Sequence, residues 1–190
     1  MTAVLILEDG TTFEGEAHGA AGHAFGEIVF NTSMTGYQEI ITDPSYAGQL
    51  VTLTQPHIGN YGVSLADMES DSAKAPGLIV REMSEFPSNQ RSESSLPTWL
   101  QEQGVVAISE IDTRTLTRHI RDKGVMMAVI VHGEDVDSDE WIEKLRNQPP
   151  YGAVDFVSQT SVNVAHKVSL KTLEYGTQVV LKEGAHAGGE

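Results

Sequence analysis

Between Asn31 and Gly62 the chain reads NTSMTGYQEIITDPSYAGQLVTLTQPHIGNYG, with Gly36, Pro44, Gly48, Pro56, Gly59 and Gly62 set around two short apolar runs. At this density of glycine and proline the backbone has to turn repeatedly between brief extended segments. Chain that turns so often belongs at a surface, where unpaired backbone groups meet water. Between the turns stand hydroxyls, amides and rings: Ser33, Thr35, Tyr37, Gln38, Ser45, Tyr46, Gln55, His57 and Asn60. Such side chains hydrogen-bond a ligand or partner with little charge. Two readings follow, a binding face or a loop-rich edge with ordinary turn chemistry.

The flanking sequence frames this stretch. Residues 3 to 8 and 11 to 16 are extended runs on either side of Asp9-Gly10, which predicts an opening β-hairpin with a two-residue turn. A strand is expected at Glu27 to Phe30, a short turn-bounded segment from Tyr37 to Thr42, and a strand from Gln49 to Thr54. From Gly77 strands and helices alternate: strand Leu78 to Val80, helix Leu96 to Gln103, strand Val105 to Ser109, helix Thr113 to Lys123 and strand Met126 to Val131. Alternation of this kind signals crossover units with helices laid on a sheet. Ser95 and Asp112 are the expected N-caps, and Gly104 and Gly124 the stops. A last amphipathic helix, Ser138 to Arg146, would bury Trp141, Ile142 and Leu145 before Pro149-Pro150 ends it. Residues 1 to 150 read as the domain and 151 to 190 as a linker-like tail, with extended patches at Lys167 to Leu173 and Thr177 to Leu181.

Several function classes are disfavoured. The net charge of −15, from 27 acids against 12 bases, argues against nucleic acid or anionic lipid as a partner, since both require a basic footprint. No apolar run approaches the ~20 residues of a membrane helix, and the first residues lack a basic n-region, so a cytoplasmic location is expected. With no cysteine in 190 residues there is no disulfide, thiolate metal site or cysteine nucleophile. The seven histidines show no H-x-x-x-H or H-E-x-x-H pairing, so no metal site is expected. Asp67, Glu69 and Asp71 have the opening spacing of a calcium loop, but Ser72 and Leu78 stand where it needs glycine and glutamate. Gly19, Gly22 and Gly26 lack dinucleotide spacing and lead into a strand. A hydrolytic set of Asp43, Ser45 and His57 fails because Ser45 lies in no nucleophile elbow and Asp43 sits two residues from it. His57, after a proline in a glycine-rich turn, is expected to bond neighbouring backbone, with orientation of a ligand as the alternative. Ser45, at a turn, suits a hydroxyl presented at the rim of another domain's pocket.

One cationic feature stands out in an acidic chain. Arg114, Arg118 and Arg121 recur at i, i+4 and i+7 on the second of these helices, opposite Thr113, Leu116, Thr117 and Ile120. The row reads either as a solvated face or as a contact for an anion or acidic partner.

The run GEIVFNTSMTGYQEIITDPSYAGQLVTLTQPHIGNYG, preceded by EDGTTFEG and followed by VAISEIDTRTLTRHIRDKG, resembles the N-terminal domain of the small, glutamine-hydrolysing chain of carbamoyl-phosphate synthase. The likeness runs from residue 3 to about 155. It implies an α/β domain of the swivelling β/β/α type, with mixed sheets and helices on one side. In that family the domain docks on a large synthetase chain as a heterodimer. It precedes a class I glutamine amidotransferase domain with a Cys-His-Glu set, whose ammonia travels to the large chain for carbamoyl phosphate in arginine and pyrimidine synthesis. ATP and Mg belong to the large chain, so no cofactor and no catalytic residue is expected here. The serine of the D-P-S-Y turn, Ser45 by motif, reaches the bound L-glutamine. The absence of cysteine means that the amidotransferase half is missing; Thr177 to Leu181 resembles that half's first strand, and the polypeptide is expected to be truncated just inside it. The alternative is a stand-alone, inactive binding or regulatory module that keeps the docking surface.

Overall fold

A computed structural model describes residues 1–161 and, beyond them, the backbone of two strands, Lys167–Leu173 and Gly176–Lys182. It divides into two compact units, Met1–Phe156 and Val157–Glu190. The first unit contains, in order, β1 (Thr2–Leu7), β2 (Thr12–Gly19), β3 (His23–Asn31), α1 (Tyr37–Thr42), β4 (Gln49–Leu53), β5 (His57–Ile58), β6 (Gly77–Ile79), β7 (Glu82–Met83), α2 (Leu96–Glu102), β8 (Val106–Ser109), α3 (Thr113–Lys123), β9 (Met127–His132) and α4 (Ser138–Arg146).

The expected α/β class holds. The long strands, however, close into one barrel in the order β1-β2-β8-β6-β4-β3-β9, with β9 returning to β1. Three successive pairs, β3/β4, β4/β6 and β6/β8, are parallel and the remaining pairs antiparallel. Strand alternation explains how the ring fills. Leu5 and Leu7 of β1, Ile28 of β3, Leu50 of β4, Ile79 of β6, Ile108 of β8 and Ile130 of β9 share one buried cluster, whereas Ile6 and Val129 belong to another on the outer face.

Helices lie on more than one side of this barrel. Leu116 and Ile120 of α3 join the interior cluster, so this helix plugs the barrel. Trp99 and Leu100 of α2 share a cluster with Tyr37 and Ile41 of α1, and Leu145 of α4 packs with Ile6, Val129 and Val131. The α2 crossover joins parallel neighbours β6 and β8 as expected. The segment after α3 departs from the expected crossover: β9 pairs antiparallel to both β1 and β3 and closes the ring.

Caps set the helix limits. Asp112 accepts from the Thr115 amide and Ser95 from the Thr98 amide; α3 ends at Gly124, at φ 94°. Two local expectations change. The first hairpin has a three-residue loop: the Gly10 amide donates to Leu7 O, Leu7 N to Thr11 O, and Gly10 sits at φ 90°, the arrangement of a turn followed by a glycine bulge. Tyr37 to Thr42 is helical, because it buries Tyr37, Gln38, Ile41 and Thr42, positions spaced for one face of a helix.

After Pro150 the chain makes a single 3-10 turn, Tyr151–Ala153, and a short helix, α5 (Phe156–Thr160). The two extended patches are the antiparallel strands β10 (Lys167–Leu173) and β11 (Gly176–Lys182), paired through Thr172 and Thr177. The closing Ala185 to Glu190, read as part of the tail, lies outside the described residues.

Candidate functional site: the Ser45 turn

Ser45 occupies the middle of a single 3-10 turn, Pro44–Tyr46, between α1 and β4. Asp43 initiates it: Oδ1 accepts the Ser45 amide at 2.8 Å, and its carbonyl accepts the Tyr46 amide at 3.0 Å. Pro44 follows at a position that needs no N–H donor. The Ala47 amide then bonds Pro44 O at 3.1 Å. These bonds leave the Ser45 side chain exposed, with no hydrogen bond from its hydroxyl among the described residues.

The turn is held at its far side. Asn31 Nδ2 donates to Tyr46 Oη at 2.9 Å, tying the turn to the end of β3. Tyr151 Oη donates to Ala47 O at 3.0 Å, and the Tyr151 ring stacks on Phe156 with centroids 4.9 Å apart. Gly48 adopts φ 73°, and a Cβ there would run into the Phe156 ring. Two independent reasons, backbone conformation and the abutting ring, thus require glycine. Sequence reasoning missed Tyr151 and Phe156; two aromatics soon after Pro149-Pro150 were the available signal.

Several other polar groups of the glycine-rich stretch are already engaged. Tyr37 Oη donates to Gly62 O at 2.6 Å, and Tyr61 Oη accepts from the amides of Gly36 and Tyr37 at 2.7 and 3.3 Å. The two rings stack at 4.2 Å, and burial pushes the Tyr37 phenol far above its ordinary pKa. Gln38 clamps Ser64 at both ends of its amide, donating to Ser64 O and accepting from Ser64 N, each at 2.9 Å. Thr42 Oγ1 accepts the Glu69 amide at 2.9 Å. Tyr37, Gln38 and Tyr46 therefore hold the surface together.

His57 forms no bond to neighbouring backbone. Its Nδ1 lies 3.1 Å from Glu82 Oε1 across the β5/β7 pair, and both side chains are exposed. With Asp43 engaged by the Ser45 amide, Asp43, Ser45 and His57 form no relay. A shallow surface depression lined by Ser33, Met34, Thr35, Tyr37, Ile40, Leu53 and Ile58 lies beside α1; Ser45 does not line it. Glu39, which sequence reasoning passed over, has Oε2 buried with no partner among the described residues, and burial raises its pKa, reinforced by Asp67 and Glu69.

Elsewhere the side chains offer little assembled chemistry. Among the described residues no group of three or more His, Cys, Asp or Glu is placed to hold a metal ion. No helix among them is long and apolar enough to cross a membrane. His18 Nε2 lies 2.9 Å from Ser109 Oγ and His132 Nε2 donates to Ala107 O at 3.0 Å; burial lowers both pKa values. Arg114, Arg118 and Arg121 are exposed and form no ion pair among the described residues.

Comparison with known proteins bears on the whole chain. Residues 5–130 match the family model described as carbamoyl-phosphate synthase small chain, CPSase domain. The chain is 49% identical over 183 residues to the carbamoyl phosphate synthase small chain of Xanthomonas axonopodis pv. citri, covering 96% of this chain and 46% of that one. Over 160 residues it is 50% identical to that of Pectobacterium atrosepticum, covering 84% and 42%. Over 165 residues it is 48% identical to that of Escherichia coli K12, covering 87% and 43%. The chain thus spans less than half the length of these curated relatives. An aminopeptidase from Aneurinibacillus sp. strain AM-1 shares only a slight structural likeness, with TM-score 0.39 and 16% identity over 68% of this chain and 30% of that one, which carries no argument. The match of the model across the barrel, with near-half identity along most of the chain, means that the chain belongs to the carbamoyl-phosphate synthase small-chain family and represents its N-terminal part.

Proposed function

We propose that this chain is the N-terminal domain of the glutaminase subunit of a glutamine-dependent carbamoyl-phosphate synthase, a swivelling-type domain that docks on the large synthetase chain. In this reading catalysis belongs to an amidotransferase domain carrying the cysteine, and ATP and Mg to the large chain. Ser45 lends a hydrogen bond to L-glutamine at that domain's edge, in the cytoplasm. The observation that carries the reading is the Ser45 hydroxyl itself, exposed and without a partner among the described residues, on a turn whose backbone is fixed at every residue from Asp43 to Ala47. A hydroxyl serving only the turn would bond within it, as Asp43 does.

Docking draws support from the arginines of α3, exposed and without an ion pair among the described residues, in a chain of net charge −15. The test is co-elution of the purified chain with a carbamoyl-phosphate synthase large chain at low and high salt. A complex that weakens with salt is expected, as for contacts among exposed charges. Absence of any complex at low salt would refute docking, and glutaminase activity in the purified 190 residues would refute the assignment of chemistry to another domain. The second reading, a stand-alone inactive module that keeps the docking surface, is favoured by the self-contained packing of Met1–Phe156. Both readings predict the complex; only the first predicts a glutamine role for Ser45.

A further inference from the structure

Most of the contacts that fix the Ser45 turn come from residues near it in sequence, but one set does not. Tyr151 and Phe156 lie beyond α4, and Tyr151 reaches Ala47 across 104 positions of chain. They grip the turn in different ways. The Tyr151 hydroxyl donates to the carbonyl of Ala47, which is 6% exposed, so without this partner the carbonyl would be left largely cut off from water. The Phe156 ring fills the space over Gly48 that any side chain would occupy, and the stack between the two rings joins hydrogen bond and ring contact into one unit.

We infer that Tyr151 and Phe156 are positioning residues for Ser45: the segment leaving the barrel domain clasps the back of the 43–48 turn and so fixes where the Ser45 hydroxyl points. The inference rests on the glutamine role proposed above and adds to it the part of the chain that controls the angle of presentation. The turn's own bonds set its internal shape, since Asp43 and Pro44 supply them, but they do not anchor it to the barrel. Anchoring comes on one side from β3, where Asn31 holds Tyr46 and the Glu27 amide donates to Gly48 O at 3.1 Å, and on the other from the clasp. Because the clasp belongs to the segment that carries the chain onward from α4, a displacement of that segment would be transmitted to Ser45. The contacts of the two rings with the turn fall on Ala47 and Gly48, so the effect passes through these residues.

Tyr151→Phe removes the hydroxyl and keeps the ring stack, so the fold should survive; Phe156→Leu is the second variant, removing the stack while leaving an apolar side chain near Gly48. In the 190-residue chain, amide hydrogen exchange of Tyr46 and Ala47 should quicken several-fold in Tyr151→Phe while exchange in β1 and β9 stays unchanged. Unchanged exchange at the turn in both variants would overturn the clasp. In the full-length small chain that carries these residues, assembled with a large chain, Tyr151→Phe should raise KM for glutamine about three- to tenfold with kcat held, the range a lost neutral hydrogen bond allows. In a Ser45→Ala background the same substitution should add nothing further. An equal rise in KM in that background, or a fall in kcat without a rise in KM, would show general support of the fold and overturn the positioning role. If Ser45→Ala alone leaves KM unchanged, the glutamine role of Ser45 is refuted, and the exchange result still decides whether the clasp fixes the turn.

Discussion

The barrel and the turn-rich surface around α1, outside β4, are held by different contacts, and they should fail differently. Inside the barrel, Leu5, Leu7, Ile28, Leu50, Ile79, Ile108 and Ile130 are fully buried, so stability there is a matter of apolar area and close packing. Across the surface, the decisive contacts are side chains bonded to backbone: Tyr37 to Gly62, Gln38 to Ser64, Thr42 to Glu69, Tyr151 to Ala47. Tyr37, Ile41, Ile58 and Val63 are buried here too, but the turns between them obtain a fixed shape from bonds that satisfy otherwise unpaired amides and carbonyls. Packing resists any change of volume, whereas each hydrogen bond can be removed alone. The surface is therefore the part of the molecule where one substitution can shift geometry without unfolding the chain.

The largest expected effect is in the barrel. Leu50→Ala should cost roughly 2–5 kcal/mol, the range for deleting a fully buried leucine, and a urea titration should show one cooperative transition displaced to lower denaturant. A loss under ~1 kcal/mol would mean that the barrel interior relaxes freely, contrary to close packing. Next comes Tyr37→Phe, which keeps the ring stack on Tyr61 and leaves the Gly62 carbonyl without its donor; a cost of about 1–3 kcal/mol is expected. Hydrogen exchange should rise around Gly62 in this variant and hold in β9. Equal loosening of both regions would erase the distinction between them.

The smallest effect is one of pH. Burial depresses the pKa of His18 and His132 below the ordinary 6.5, so the unfolded chain binds these protons at higher pH than the folded one. Their contribution is complete above 6.5 and is lost as pH falls through that value toward the folded pKa values. Glu39 acts with the opposite sign, because its raised pKa lets the folded state hold a proton above 4.5. Urea midpoints measured at pH 7.5 and 5.5 should therefore fall toward the acid side, by less in His132→Gln. A midpoint that rises toward acid would show that the carboxylate dominates.

Legibility in the sequence followed the range of the interactions involved. The helices α3 and α4 were readable to the residue because their caps, Asp112, Gly124 and the prolines after Arg146, are local. The six residues of α1 were missed, being too few to show a period before burial chose their face. Closure of the barrel was not legible either, since it depends on β9 finding both β1 and β3, pairings that no local pattern encodes. For the candidate site, residue type pointed to a turn with a free hydroxyl at Ser45, while the glutamine role came only from family resemblance. The contacts of Tyr151 and Phe156 with the turn lay beyond any spacing rule, because their partners are about a hundred residues away.

The central claim is that Ser45 belongs to a site without belonging to the fold's support. Ser45→Ala, made in the 190-residue chain and in the full-length small chain assembled with a large chain, tests both halves together. The stability from urea titration should stay within ~0.5 kcal/mol of the parent, as for an exposed side chain with no bond among the described residues. KM for glutamine should rise about tenfold, equivalent to roughly 1.4 kcal/mol. A destabilised chain with unchanged KM would make Ser45 a structural residue and contradict the account.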